Sequence, residues 1–285
     1  MRDEHSLEFP TTFGIQTENY FCAMWQKVRH LLQYLHYRFT AQSRHDVHSP
    51  FIFDLVTKVI NNKTQFSEFN KIENLRRELL NDNKVINVTD FGTAFGGPKT
   101  YRRKISEIAK HSAKPAKYAQ LLFRIINHYK PGAILELGTS FGISTMYMVA
   151  ANPQSKIITV EGCPETSRIA KINFQKSGFK NIQPETGSFD HALDKVLTGF
   201  EKLDLVFFDG NHQKDATLNY FQKCLLKSHN KSIFIFDDIN WSREMQDAWN
   251  KIKNHPQVTV TVDLFVMGIV FFNTDLTRQH FTIRF

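Results

Sequence analysis

Three aspartates and one histidine follow two apolar runs of the chain and could bind a cation or move a proton. Asp209 ends the run Leu203–Phe208, and Asp237 and Asp238 end the run Ser232–Phe236. Because parallel strands present their carboxyl ends at one edge of a sheet, these carboxylates would lie together and repel one another. An oxygen-liganded ion such as Mg²⁺ or Ca²⁺ would relieve that repulsion. Alternatively, one of the tandem acids caps the next turn while His212 neutralises the others.

His212 lies three residues beyond Asp209, and its imidazole could accept the proton of a substrate hydroxyl near neutral pH. The chain has 12 histidines, and a lone histidine is often structural. We therefore predict His212 and Asp209 as the catalytic pair, with a structural histidine as the alternative.

A glycine-containing bend between residues 133 and 145 predicts a cofactor site. The spacing Glu136-x-Gly138-x-x-x-Gly142 follows a short apolar run and precedes a helical pattern that begins at Ile143. The missing Cβ atoms let a ligand lie on the backbone, and the helix N-terminus offers free N–H groups. A dinucleotide fingerprint would need glycines where Ser140 and Ile143 stand. The bend therefore favours a nucleoside without a pyrophosphate, and S-adenosylmethionine is the obvious candidate.

Polar residues at the following strand ends extend this predicted site. Glu161 ends the second strand, where an acid can accept hydrogen bonds from both ribose hydroxyls, although it could also be an exposed loop acid. Ser144 could bind the carboxylate of a methionine tail or simply start a helix. Gly187, Ser188 and Phe189 could flank an adenine or form a turn and a cap. The complete predicted cofactor set is Glu136, Gly138, Thr139, Ser140, Gly142, Ser144, Glu161, Gly187, Ser188, Phe189 and Asp209.

Alternating strand and helix patterns from Tyr118 onward predict the fold that positions these residues. The first five strands are followed by two adjacent strands without a helix between them, which must form a hairpin. The predicted fold is α/β, a doubly wound, mostly parallel seven-stranded sheet with a C-terminal antiparallel hairpin and an N-terminal, mainly helical region. The predicted strands are Ile134–Leu137, Ile157–Val160, Asn181–Pro184, Leu203–Phe208, Ser232–Phe236, Val258–Phe265 and Met267–Phe272.

The predicted domains are residues 1–113, on the substrate side, and residues 114–285, which bind the cofactor. The first domain ends in a second acid-x-Gly-x-x-x-Gly spacing, from Asp90 to Gly96, that Pro98 separates from any helix. We interpret residues 92–117 as a mobile glycine-rich loop followed by a basic helix. Its basic face is either solvated or part of a lid that touches an anionic substrate group.

Composition sets limits on the partners and the location of the chain. The net charge of +8 and the pI near 9.3 permit an acidic partner, but a solubilising surface explains them as well. No Asn/Asp-Pro-Pro-aromatic stretch for base amines is present, so a nucleic-acid substrate is disfavoured. Three separated cysteines, the lack of a signal pattern and the lack of a long apolar run favour a cytoplasmic protein without a membrane span. The oligomeric state is left open.

Together these motifs resemble the class I S-adenosylmethionine-dependent methyltransferases, and most of all the metal-dependent O-methyltransferases of the catechol type. The resemblance runs from about Lys114 to Phe272 and rests on the segment 135–144 and on Thr159-Val-Glu161. It implies a reaction in which a divalent ion binds the hydroxyl of a small-molecule acceptor, which is then methylated. A nucleic-acid methyltransferase and a non-catalytic cofactor-binding module are the alternatives.

The resemblance also assigns roles to single residues. It implies that Glu161 holds the ribose, Ser144 the methionine carboxylate, and that Phe189 lies near the adenine. Asp209, Asp237 and Asp238 match the three metal ligands, although the family has asparagine at the last position. His212 falls where the catechol enzymes carry a catalytic lysine.

Overall fold

The N-terminal elements precede the main sheet in the computed structural model, which describes residue 25, residues 28–91 and residues 98–285. The chain divides into two compact units, residues 1–41 and residues 42–285. The first unit contains helix α1 over residues 28–40. The second begins with α2 (Pro50–Leu55), one π-helical turn (Val56–Ile60), α3 (Ser67–Asn81), β1 (Val85–Asp90), β2 (Lys99–Lys104) and α4 (Ile105–Ser112).

Strands β1 and β2 form an antiparallel pair, so residues 99–104 are a strand and not part of the loop and basic helix predicted for residues 92–117. Val88 pairs with Tyr101 across the two strands, and β-branched and aromatic residues favour such pairs. Helix α4 begins only at Ile105, where apolar side chains first become buried at helical spacing. The glycines of the predicted lid, residues 92–97, lie outside the described residues.

The remaining elements form one mixed sheet with helices on both faces. The helices are α5 (Ala116–Tyr129), α6 (Ile143–Ala151), α7 (Pro164–Lys176), α8 (Phe189–Thr198), α9 (Lys214–Leu225) and α10 (Arg243–Lys253). The strands are β3 (Ala133–Leu137), β4 (Lys156–Glu161), β5 (Ile182–Thr186), β6 (Leu205–Phe208), β7 (Ile233–Phe236), β8 (Val260–Asp263), β9 (Gly268–Phe271) and β10 (Gln279–Thr282). None of the helices in the described ranges is long and apolar enough to cross a bilayer.

The strand order is β10-β8-β9-β7-β6-β3-β4-β5, and only β9 runs antiparallel to its neighbours. The predicted fold class is confirmed, including the hairpin of β8 and β9. The sheet has eight strands rather than seven, because β10 pairs in parallel with β8. Gln279 and His280 are exposed at this edge, so β10 lacks the apolar run that identifies the inner strands.

Alternate residues of the central strands enter two separate apolar cores. Ile134 and Phe207 belong to one cluster, and Leu135 and Val206 belong to the other. This double burial explains why the parallel strands are continuously apolar. Helix α3 packs on the first face, where the Phe69 ring lies 5.3 Å from the Tyr147 ring. The functional division between residues 113 and 114 stays a prediction.

Candidate active site

The carboxyl ends of the central parallel strands meet at one edge of the sheet. Past the strand ends, the N–H of Asp209 donates to the carbonyl of Leu137 over 2.8 Å. The N–H of Asp237 likewise donates to the carbonyl of Phe208 over 2.9 Å. The polar residues that follow β3, β6 and β7 are therefore fixed side by side, as the sequence predicts for parallel strands.

The bend after β3 has the backbone geometry that its glycines suggest. Gly138 has φ +109°, and a Cβ there would overlap the carbonyl oxygen of Asp209. Gly142 has φ +84°, and a Cβ there would overlap the Phe174 ring. Ser140, between them, also has a positive φ of +47°. The bend therefore needs glycine at both positions, in one case to bring two strand ends together.

Glu136 is fully buried beneath the bend and accepts three hydroxyl hydrogen bonds. Ser144 Oγ and Thr159 Oγ1 each donate over 2.6 Å, and Thr145 donates as well. Burial raises the pKa of Glu136 to about 7, although the three hydroxyls act in the opposite direction. Ser144 would have to turn from Glu136 to bind a methionine carboxylate, so that predicted role stays a prediction.

Glu161 ties the end of β4 to the bend. Its Oε2 accepts the N–H of Ser140 over 2.8 Å, and its Oε1 accepts the N–H of Cys163 over 2.9 Å. Burial raises the pKa of Glu161, and these backbone donors oppose that rise. The acid predicted to hold a ribose thus lies directly against the predicted cofactor bend. Thr139, also in the bend, forms a hydroxyl hydrogen bond with Thr159.

The end of β5 adds an aromatic side chain to the same edge. The N–H of Gly187 donates to the carbonyl of Glu161 over 2.9 Å, and Ser188 caps helix α8 with an extended backbone. The ring of Phe189 lies so close to Gly210 that a Cβ at Gly210 would overlap it. Phe189 therefore lies next to the segment that follows β6, and its predicted place near an adenine stays a prediction.

The structure brings Asp209, Asp237 and His212 together, with one ligand atom of each within 4.8 Å of the others. Asp238, the third predicted ligand, is not part of this group. Its Oδ2 lies 3.8 Å from His212 Nε2, and its backbone has φ +52°. The side chain of His212 is 30% exposed, so solvent and a substrate can reach it.

Lys114, which the sequence places only in a basic stretch, is the member of this cluster that sequence reasoning missed. It lies in the connection between α4 and α5 and is buried, with 8% of its surface exposed. Its Nζ donates to Asp209 Oδ1 over 3.0 Å and also to Asp237 Oδ2. Nothing in the local spacing separates Lys114 from its exposed neighbours, because its partners are about 95 or more residues away.

The charges of this cluster are strongly coupled. Burial alone would lower the pKa of Lys114, but Asp209 and Asp237 raise it by more, so the ammonium stays protonated. Burial raises the pKa of Asp209 well above its ordinary value, and Lys114 opposes that rise. The carboxylates of Asp209 and Asp237 therefore already have a cationic partner.

A divalent cation does not fit this arrangement of side chains. Such an ion binds carboxylate oxygens at about 2.0–2.6 Å, and oxygens of both Asp209 and Asp237 already accept hydrogen bonds from the Lys114 ammonium. An ion on the same two carboxylates would therefore lie close to the ammonium, and two cations close together in a buried site repel strongly. The pair of carboxylates can hold one cation, and in this structure it is Lys114.

Comparisons with known proteins support a common origin for the central part of the chain. A family described as a methyltransferase domain matches residues 135–239. A catechol O-methyltransferase of Niastella koreensis is 30% identical over 131 residues, which cover 45% of this chain and 57% of the relative. A catechol O-methyltransferase of Mycobacterium tuberculosis is 27% identical over 130 residues, covering 45% of this chain and 56% of the relative. The chain spans little more than half the length of these curated relatives.

Solved structures resemble the fold over a longer stretch. The SAH-bound methyltransferase PaMTH1 of Podospora anserina superposes with a TM-score of 0.55 at 14% identity, covering 79% of this chain and 97% of that protein. At this identity the likeness concerns the fold alone.

Proposed function

We propose that this chain is a class I S-adenosylmethionine-dependent methyltransferase and that it methylates an oxygen of a small-molecule acceptor, which the match of residues 135–239 to a methyltransferase domain supports. The cofactor in this proposal is S-adenosylmethionine, bound along the bend 136–142 and the strand ends that follow. The similarity of the chain to catechol O-methyltransferases, whose acceptor is a small-molecule hydroxyl, supports this acceptor class.

The observation that carries the proposal is the contact between the bend and the acid at the end of β4. Glu161 Oε2 lies 2.8 Å from the backbone nitrogen of Ser140, two residues beyond Gly138. A nucleoside on this backbone would meet a carboxylate where its ribose hydroxyls need acceptors. Phe189 stands at the next strand end, where an adenine would need a flat apolar neighbour.

Methyl transfer needs few groups beyond those that position the reactants. The acceptor oxygen forms a bond to the methyl carbon while the carbon–sulfur bond breaks, and the electron pair of that bond stays on sulfur. The hydroxyl proton leaves to His212, which has an accessible imidazole at the same sheet edge. Holding the two reactants in line supplies most of the acceleration.

The divalent cation that the resemblance implies is not part of this proposal, because Lys114 already pairs with Asp209 and Asp237. Ligand atoms of Asp209, His212 and Asp237 lie within 4.8 Å of one another, and they would be available to such an ion only if Lys114 left both carboxylates.

Calorimetry with S-adenosylmethionine tests the proposal. We expect binding that Glu161→Ala weakens roughly 10- to 100-fold, because a hydrogen bond to a charged group contributes about 1.5–3 kcal/mol. Glu201→Ala, at an exposed acid, is the matched control and should bind as the wild type does. Thermal melting of both variants checks that the bend is still folded. Equal affinity in all three proteins would contradict the ribose role.

Transfer of a tritiated methyl group to a panel of phenols, catechols and aliphatic alcohols tests the reaction itself. We expect label in at least one hydroxyl class. Tight cofactor binding without transfer to any acceptor would favour a non-catalytic binding module instead.

A further inference from the structure

The buried ammonium of Lys114 is the feature that the proposed function leaves unexplained. Its Nζ lies 3.0 Å from Asp209 Oδ1 and donates to Asp237 Oδ2, so it bridges the two acids that a metal would bind. Burying a lysine is costly unless its charge is paired, and here two carboxylates pair it. Such a residue is placed for its charge rather than for packing.

We propose that the Lys114 ammonium is the resident cation of this site and takes the place of a divalent metal ion. The ammonium donates one hydrogen bond to each of Asp209 and Asp237 and so lies between their carboxylates. The connection that carries Lys114 runs directly into helix α5, whose apolar side chains are buried in the core. The lysine backbone is therefore anchored by α5, which holds its side chain toward the strand ends.

An ammonium in place of a divalent ion changes the class of acceptor that the site selects, a consequence that rests on the proposed methyl transfer. A divalent ion favours acceptors with two neighbouring oxygens because it can bind both. An ammonium has three N–H donors, of which Asp209 and Asp237 accept two. Among the described residues, Asp237 Oδ1 is buried and has no hydrogen-bond partner. The third N–H of Lys114 and Oδ1 of Asp237 thus offer one donor and one acceptor, which suit a single hydroxyl, so a vicinal diol is not required.

Titration with Mn²⁺ alone, followed by the electron paramagnetic resonance signal of the free ion, tests the cation directly. We expect no stoichiometric binding by the wild type and a gain of roughly a hundredfold in Mn²⁺ affinity in Lys114→Met, where the repelling charge is gone. Lys110→Met removes an exposed lysine of α4 and should behave as the wild type. Tight Mn²⁺ binding by the wild type, or no gain in a folded Lys114→Met, would overturn the proposal.

Amine labelling of the wild-type protein decides the question even where Lys114→Met fails to fold. Acetic anhydride should modify Lys110 readily and leave Lys114 protected, both with and without Mn²⁺, as read by peptide mass spectrometry. Labelling of Lys114 that appears when Mn²⁺ is added would mean that a metal displaces it, and the proposal would be wrong. Labelling of Lys114 without Mn²⁺ would also contradict it, because the buried ion pair would then be absent.

Neither measurement depends on activity, so failure of the proposed function and failure of this inference are separable. If only the proposed function is wrong, the protein will not bind S-adenosylmethionine, but Lys114 will still be protected from labelling. If only the lysine cation is wrong, the wild-type protein will bind Mn²⁺ and will still bind S-adenosylmethionine. If the proposed function and the lysine cation are both correct, the protein should methylate phenol, which has a single hydroxyl, in excess EDTA. Methylation of catechol but not of phenol, abolished by EDTA, would refute the proposal that the site accepts a single hydroxyl.

Discussion

Gly138→Ala is the substitution that most directly tests how the candidate site is built. Gly138 has φ +109°, and a Cβ at this position would overlap the carbonyl oxygen of Asp209. That carbonyl belongs to the backbone at the end of β6, so it cannot rotate away as a side chain would. The variant must therefore move the bend, the end of β6, or both.

Two costs of the Gly138→Ala substitution can be estimated separately. A non-glycine residue in this region of φ costs about 1–3 kcal/mol. Forcing a methyl group against packed atoms costs typically about 1–3 kcal/mol more. We expect the free energy of unfolding to fall by roughly 2–6 kcal/mol, the sum of the two costs, with cofactor affinity reduced because the bend is displaced.

Gly178→Ala is the matched control for the backbone cost. Gly178 also has a positive φ, +71°, but a Cβ there would meet no heavy atom within 4 Å. It should lose only about 1–2 kcal/mol, the cost of the left-handed conformation alone. Urea denaturation of both variants measures the difference. A Gly138→Ala protein no less stable than Gly178→Ala would refute the argument that β3 and β6 meet at this atom.

Two further predictions concern the buried carboxylate of Glu136 and the partly buried carboxylate of Asp204. Burial raises the pKa of Glu136 from 4.5 to about 7, so between these pH values the folded state binds more protons than the unfolded state. The free energy of unfolding therefore falls as the pH rises from 4.5 to about 7. Glu136→Gln should remove roughly 3 kcal/mol of that fall in urea melts between pH 4.5 and 7. Asp204→Ala should lower the free energy of unfolding by about 2–4 kcal/mol, because Asp204 Oδ2 accepts the N–H groups of Gly132 and Ala133 over 2.8 and 2.9 Å.

Each of these two predictions has a control variant and a result that would contradict it. Glu78→Gln removes an exposed acid and should keep the wild-type slope of stability against pH. A Glu136→Gln slope equal to the wild-type slope would mean that Glu136 ionises in the folded protein as it does in the unfolded chain. Asp275→Asn, also exposed, is the control for Asp204→Ala. A loss below about 0.5 kcal/mol in Asp204→Ala would contradict the anchoring role of its hydrogen bonds.

Residues buried on both faces of the sheet were the easiest to predict from the sequence. Ile134, Leu135, Val206 and Phe207 are apolar without alternation, which identifies a parallel strand regardless of the rest of the chain. The bend glycines were predictable for a similar reason, because their positive φ is a local property. The fold and the sheet edge therefore followed from local patterns.

Elements at the periphery were missed because their partners, not their own residues, decide their conformation. Strand β10 carries Gln279 and His280 and is extended because β8 offers it a parallel edge. Strand β2 is exposed and basic, as a solvated helix would be, and pairing with β1 makes it a strand. A local pattern does not contain that information.

The cation at the strand ends was the hardest part of the site to predict. Two acids that follow buried strands at Asp209 and Asp237 require positive charge nearby, whichever group supplies it. A divalent ion and a lysine meet that requirement equally well in the sequence. The distinction depends on whether the chain returns a basic side chain to the sheet edge, and the connection before α5 does so with Lys114. A tandem acid motif therefore predicts a cation, while only the path of the chain before α5 decides between an ammonium and a metal.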